Sequence, residues 1–197
     1  MLIWEDGNTR HTILKVALEL FAERGYRGVS TRQICDAAGV TQPTLYYHFG
    51  NKEGLCASLL QLVTDHAEED IRRVFDNELP ILDKLRDYAR TRFAFVETHT
   101  HFVKFLLEFL LGPDSVGIRD EHMKRVGQLH AHLREALKKG QQEGIIRRSI
   151  DIEVATMALT GSINTIIVMN LHLQGHELDD SLADAVADLW LGGLQER

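Results

Sequence analysis

Three prolines in 197 residues, at positions 43, 80 and 113, leave long stretches of this chain with nothing to break a helix. No run alternates apolar and polar residues as a half-buried strand does. The only cysteines, Cys35 and Cys56, are too few for a disulfide framework or a cysteine-rich metal site. Both stand among apolar neighbours and read as buried thiols in a reducing compartment. Met1 to Arg10 carries Glu5, Asp6 and Arg10 where a secretory leader would be apolar, so a cytoplasmic protein is expected. A nucleophile elbow, a phosphate-cradling glycine loop and a paired-carboxylate constellation are all missing, so neither an enzyme nor a bound cofactor is expected.

The net charge of −7 argues against a nucleic-acid partner until its distribution is considered. The first 60 residues hold six basic and six acidic side chains, so the whole excess of acid lies beyond Leu60. A neutral first part can still present a positive face.

Helical periodicity fills the chain. Ile13, Leu14, Ala17, Leu18 and Phe21 recur on one face of a helix that stops near Gly25. Ser30 with Gln33 three residues on is a capping box, opening a short helix with Ile34, Ala37 and Ala38 inward and Gly39 at its end. Thr41 caps the next short helix and Asn51 a long one running to about Asp76. Pro80 opens a helix to about Thr98, and "HFVKFLLEFLLG" continues as another up to a Gly112-Pro113-Asp114 turn. Longer helices follow over about 116–140, 151–173 and 178–195. The fold expected is all-α with about nine helices.

The stretch "GVTQPTLYYHFGNK" has a proline near its start and few strong helix formers behind it. With Thr41 as N-cap, Pro43 is the second helical residue, where no intrahelical acceptor awaits an amide. Leu45 and Phe49, four apart, face inward and leave Gln42, Pro43, Thr44, Tyr47 and His48 outward with Tyr46 at the margin. A helix, a four-residue "AGVT" turn and a second short helix make a helix-turn-helix, whose second helix enters the DNA major groove N-terminus first. Gln42 suits bidentate contact with adenine, and Thr44 or the Pro43 ring a thymine methyl. Tyr47, His48 and Lys52 suit phosphates, and Arg32 a guanine edge or a phosphate. On this reading Lys52→Ala weakens binding to all DNA alike and flattens its salt dependence.

The run from "ALELFAERGY" through "STRQI", "AAGVT" and "TLYYHF" to "NKEGL" closely resembles the DNA-binding region of the TetR/AcrR family of transcriptional regulators, over about Thr9 to Leu60. Cys35 departs from it, standing where the family usually has alanine. The resemblance implies a DNA-binding domain over residues 1–53 and a ligand-binding and dimerisation domain over 54–197. It implies that Arg32 and Gln42 read bases, that Pro43, Thr44 and Tyr46 pack or bond against bases and backbone, and that Thr31, Tyr47, His48 and Lys52 hold phosphates, with Thr41 beside them. It also implies a homodimer on a near-palindromic operator and a small-molecule effector, which suits a repressor released by an inducer.

"VATMALTGSINTIIVMNLHL", Val154 to Leu173, carries no charged side chain and is long enough to span a membrane. Asn164, Asn170 and His172, with an acidic rather than basic flank, favour a buried helix and no membrane contact. This helix and the last, through Ile163, Ile167, Leu182, Val186, Leu189 and Trp190, are the expected dimer interface as a four-helix arrangement around a twofold axis. Phe93, Phe102, Phe105 and Phe109, with Met123 and Met157, are candidates to line an effector cavity, and His130 and Asn164 candidates for its polar anchors. Such stripes at helical spacing serve equally as core. Ten histidines do not make a metal site: His99 and His101, like His130 and His132, point to different faces, and Gly175 interrupts the His172–His176 pair. A DNA-bound architectural or interaction protein without an inducer is the alternative, and a small molecule that weakens DNA binding separates the two.

Overall fold

A computed structural model describes residues 7–111, 116–173 and 177–194. The Gly112-Pro113-Asp114 turn and the Gly175 and His176 positions lie outside the described residues. Nine helices are present among those described: α1 (Thr9–Arg24), α2 (Thr31–Ala38), α3 (Gln42–Phe49), α4 (Lys52–Phe75), α5 (Ile81–Thr98), α6 (Thr100–Leu111), α7 (Val116–Gln142), α8 (Ile152–Leu173) and α9 (Asp180–Leu194). They group into two compact units, one of Met1–His66 and His99–Lys124, the other of Ala67–Thr98 and Arg125–Arg197.

In the first unit, the α1 stripe read from the sequence, Ile13 to Phe21, is fully inward. Asn8 caps α1, accepting from the amides of Arg10 and His11. The α2 box is formed, with the Gln33 amide donating to Ser30 Oγ and the Ser30 amide to Gln33 Oε1 at 2.8 Å. Ile34 and Cys35 are the buried residues of α2, while Ala37, expected inward, is exposed because the helix is only two turns long and rests on α1 along one edge. Cys56 is buried too, and burial pushes its thiol up to about 12.

The sequence places a domain boundary after residue 53, but α6 belongs to this first unit. Its phenylalanines are the reason. Phe105 stacks on Phe21 of α1 with ring centroids 5.3 Å apart, Phe109 meets Tyr26 edge-on at 5.1 Å, and Phe102 packs on Phe105. These contacts spend the rings as core, where they had been candidates for a cavity wall.

In the second unit α5 packs on α9 and α8. Arg86 and Arg90, one turn apart on α5, meet Asp188 and Asp184 on α9 at 2.9 and 2.7 Å. These pairs are half-exposed and fix the register of the two helices more than they stabilise them. Trp190 Nε1 donates to Ser162 Oγ at 3.1 Å, tying α9 to α8. Lys84 is buried, and its ammonium donates to the carbonyls of Phe75 and Asn77 at 2.8 and 2.6 Å, satisfying the open end of α4. Asp151 and Asp179 cap α8 and α9.

The α8 segment is not the buried helix its composition suggests. It is the one helix among the described residues long and apolar enough to cross a membrane, and only 33% of its most apolar window is buried. Ile163 and Ile167 point into the unit, whereas Val154, Met157, Val168 and Met169 are exposed.

If the α6 phenylalanines are core of the first unit, Phe105→Ala costs about 3–5 kcal/mol of stability, read from the urea midpoint of the transition that includes that unit. A loss under about 1 kcal/mol would place the ring at a pliable cavity wall instead.

Candidate nucleic-acid interface

The α2–α3 pair is built by local rules. Gly39 adopts φ 66° and ψ 31°, the left-handed conformation that ends α2 and that a side chain would strain. Its neighbour Val40 donates to Cys35 O, and the chain turns into Thr41. Thr41 Oγ1 accepts from the Thr44 amide at 3.4 Å and lies 2.8 Å from the Thr44 hydroxyl. Pro43 sits in the first turn, as the missing amide requires. Leu45 and Phe49 are buried, and that sets the opposite face outward.

That face carries Gln42, Pro43 and Tyr47, with Tyr47 86% exposed. His48 is half-buried beside the Tyr47 ring, edge-on at 5.3 Å. Arg32 is exposed on α2, and Thr31 Oγ1 lies 3.3 Å from Tyr46 Oη, a bond that clamps α2 to α3. Gln42, Pro43, Thr44 and Tyr47 thus share the outward side of one two-turn helix. An amide with a donor and an acceptor, flanked by small apolar groups and a phenol, can read a base edge in a major groove and bond to the backbone beside it.

Two side chains change role. Tyr46, marginal in the sequence reading, is 44% exposed and spends its hydroxyl on Thr31. Lys52, expected at a phosphate, turns to the protein: its ammonium donates to the Tyr26 carbonyl and stands 4.1 Å from the centroid of the Tyr26 ring. Sequence reasoning also missed Arg10, whose guanidinium lies 5.4 Å over the Phe49 ring and holds the start of α1 to the end of α3. A signal existed for neither contact, since both join residues far apart in the chain.

The effector candidates do not come together. Phe102, Phe105, Phe109 and Met123 belong to the first unit, and Phe93, His130, Met157 and Asn164 to the second. Phe93 is buried, but Met123 and Met157 are 56% and 64% exposed and Asn164 is exposed, because each falls on the outward side of its helix. His130 is half-buried, and burial with the nearby Arg92 and Arg134 lowers its pKa. Two pockets of about 410 and 350 Å³ flank Lys84, lined by residues such as Asp76, His132 and Lys139, and contain none of these candidates.

The dimer candidates divide in the same way. Ile163, Ile167, Val186 and Trp190 are buried inside the second unit, where α5, α8 and α9 pack together, so they are not free to meet a partner. Leu182 is half-buried, and Leu189 is 78% exposed. Among the described residues no group of three or more His, Cys, Asp or Glu side chains is placed to hold a metal ion.

Residues 13–59 match the family model for bacterial regulatory proteins of the tetR family. The transcriptional repressor KstR2 of Rhodococcus jostii is 28% identical over 152 residues, 74% of this chain and 72% of that one. Among solved structures, the fatty acid degradation regulator FadR of Bacillus halodurans superposes with a TM-score of 0.85 at 24% identity, covering 98% of this chain and all of that one. FadR of Bacillus subtilis, solved in complex with stearoyl-CoA, superposes with a TM-score of 0.81 at 24% identity over 92% of this chain and 97% of its own.

Loss of a bidentate base contact costs ~1–3 kcal/mol and relaxes the choice of base at one position. Gln42→Ala and Arg32→Ala are each expected to do this, measured by titrating a preferred duplex and its single-position variants. Unchanged affinity and base choice in Gln42→Ala would show that α3 docks differently.

Proposed function

The chain is a TetR-family transcriptional regulator, and from that premise we propose that it represses transcription as a homodimer on a near-palindromic operator and leaves the DNA when a small-molecule effector binds. The observation that carries this reading is α3, a two-turn helix whose burial of Leu45 and Phe49 leaves a polar and aromatic face at its N-terminal end and side. Residues 1–53 serve as the DNA-reading domain and residues 54–197 as the domain for the effector and the partner subunit. The work is done where the DNA is, in the cytoplasm.

A second copy of the chain is the occupant proposed for the outward side of α8. Val154, Met157, Val168 and Met169 lie there, and Leu189 is exposed on α9. A helix of this length with an apolar outer side is costly to leave in water, and a twofold pairing covers it on both copies at once. The interface is therefore assigned to the outward residues of α8 and α9, not to the inward Ile163, Ile167, Val186 and Trp190.

An acyl-coenzyme A is the first effector class to test, on the likeness to the FadR fold that holds stearoyl-CoA. Arg92, His130 and Arg134 lie close enough together to shift the His130 pKa, and so many cationic groups suit a polyanionic ligand. An effector can release DNA only by binding the DNA-incompetent arrangement of the dimer more tightly than the competent one.

Met157→Glu, which puts a charge on the outward side of α8, is expected to weaken self-association roughly tenfold or more in sedimentation equilibrium. A dimer of unchanged strength would place the interface elsewhere. In a DNA-release assay across a series of acyl-CoA chain lengths, at least one member is expected to raise the apparent Kd for DNA about 5–150-fold. If no acyl-CoA does so while the protein binds its duplex normally, the effector belongs to another class.

A further inference from the structure

Lys52 is the first residue of α4, three positions beyond the end of α3. A cation there faces the positive end of the helix macrodipole, so its position needs a cause. The structure supplies two partners, both in the turn between α1 and α2 or beside it. The ammonium donates to the carbonyl of Tyr26. It also stands over two rings, 4.1 Å from the centroid of Tyr26 and 5.8 Å from that of Phe21. Both rings are themselves held: Tyr26 lies 5.4 Å from Phe21 and 5.1 Å from Phe109, and Phe21 stacks on Phe105. One half-buried ammonium is thus where the α1–α2 turn, the aromatic stack on α6 and the first turn of α4 meet.

A phosphate contact requires something different, an ammonium presented to solvent with its donors free for phosphate oxygens. Here the carbonyl and the ring face take the charge inward, and a partly desolvated cation over a ring is held more firmly than an exposed one. We propose that Lys52 is a positioning residue for DNA binding rather than a phosphate contact: by pinning the start of α4 to Tyr26 it fixes the exit of α3, and with it the attitude of the reading face. The proposal rests on the reading that α3 binds DNA. Its physical need is plain from the neighbours. The entry of α3 is held by Gly39 and the Thr41 cap, whereas its exit runs through Gly50, at φ 73°, and Asn51, so without the pin that end is secured only by the Phe49 ring and the Asn51 cap.

The two roles separate in salt. A lysine that neutralises a phosphate contributes about 0.9 to the slope of log affinity against log salt. A lysine that positions the helix contributes affinity without slope. The experiment titrates a duplex selected from a random pool with wild-type protein, Lys52→Met, Tyr26→Leu and the double variant, over a series of salt concentrations, with thermal unfolding confirming that each is folded. Expected are losses of roughly three- to thirtyfold in each single variant, an unchanged salt slope and unchanged base preference, and a double variant no weaker than the weaker single one. A slope flatter by about 0.9 in Lys52→Met, with Tyr26→Leu binding like wild type, would overturn the proposal and restore the phosphate contact. If Lys52→Met does not fold, Tyr26→Leu decides alone: weaker binding at unchanged slope supports the pin, and wild-type binding refutes it. Failure of wild-type protein to bind any duplex would instead remove the DNA-binding reading on which the proposal stands.

Discussion

Burial of Leu45 and Phe49 is the contact on which the DNA-reading surface depends. An eight-residue helix is below the length at which hydrogen bonds repay nucleation in water, and α3 contains a proline, a threonine and three aromatic or imidazole side chains besides Phe49. It is helical because two side chains four apart drop into the space between α1 and α2. Every outward group takes its direction from those two. Around them the structure adds short-range locks: the Ser30 box, the left-handed Gly39, the Thr41 cap, the Thr31–Tyr46 bond and the Arg10 guanidinium over Phe49. Each is modest, and together they hold a reading face that propensity alone would not form.

The same arrangement explains how an acidic protein serves DNA. The excess negative charge lies beyond Leu60, and the first 60 residues are neutral. With so little net attraction available, affinity must come from placement: groups already in position when the groove arrives lose little entropy on binding. That makes the rigidity of the first unit a functional property. The α6 phenylalanines stacked on Phe21 and Tyr26 matter for that reason, since they back the helix that backs α3.

Legibility in the sequence followed the range of the interaction. Caps, the left-handed glycine, the early proline and the inward pairs of α1 and α3 all act within four residues, and each stood in the sequence as it stands in the fold. The helix count was readable for the same reason. What failed was anything set by a distant partner. Periodicity showed that Ile163, Val186 and Trp190 lie on apolar stripes but not that α5 claims those stripes within the chain, leaving Met157 and Leu189 outside. Met123 and Asn164 looked like cavity residues by type, yet fall on outward faces. Lys52 looked like a phosphate ligand because nothing in its own segment reveals Tyr26, 26 residues earlier, as its partner. The effector site was least legible of all, because apolar side chains at helical spacing build cores and cavities alike.

The central claim, that two copies of α3 read DNA together, is tested most directly by selecting tight binders from a random duplex pool with the wild-type protein. The account predicts enrichment of a near-palindrome whose half-sites are separated by about one helical turn or a multiple of it, the spacing that a twofold pair of reading heads imposes. Enrichment of a single unrepeated half-site, or no enrichment by protein shown to be folded and free of bound ligand, would contradict it.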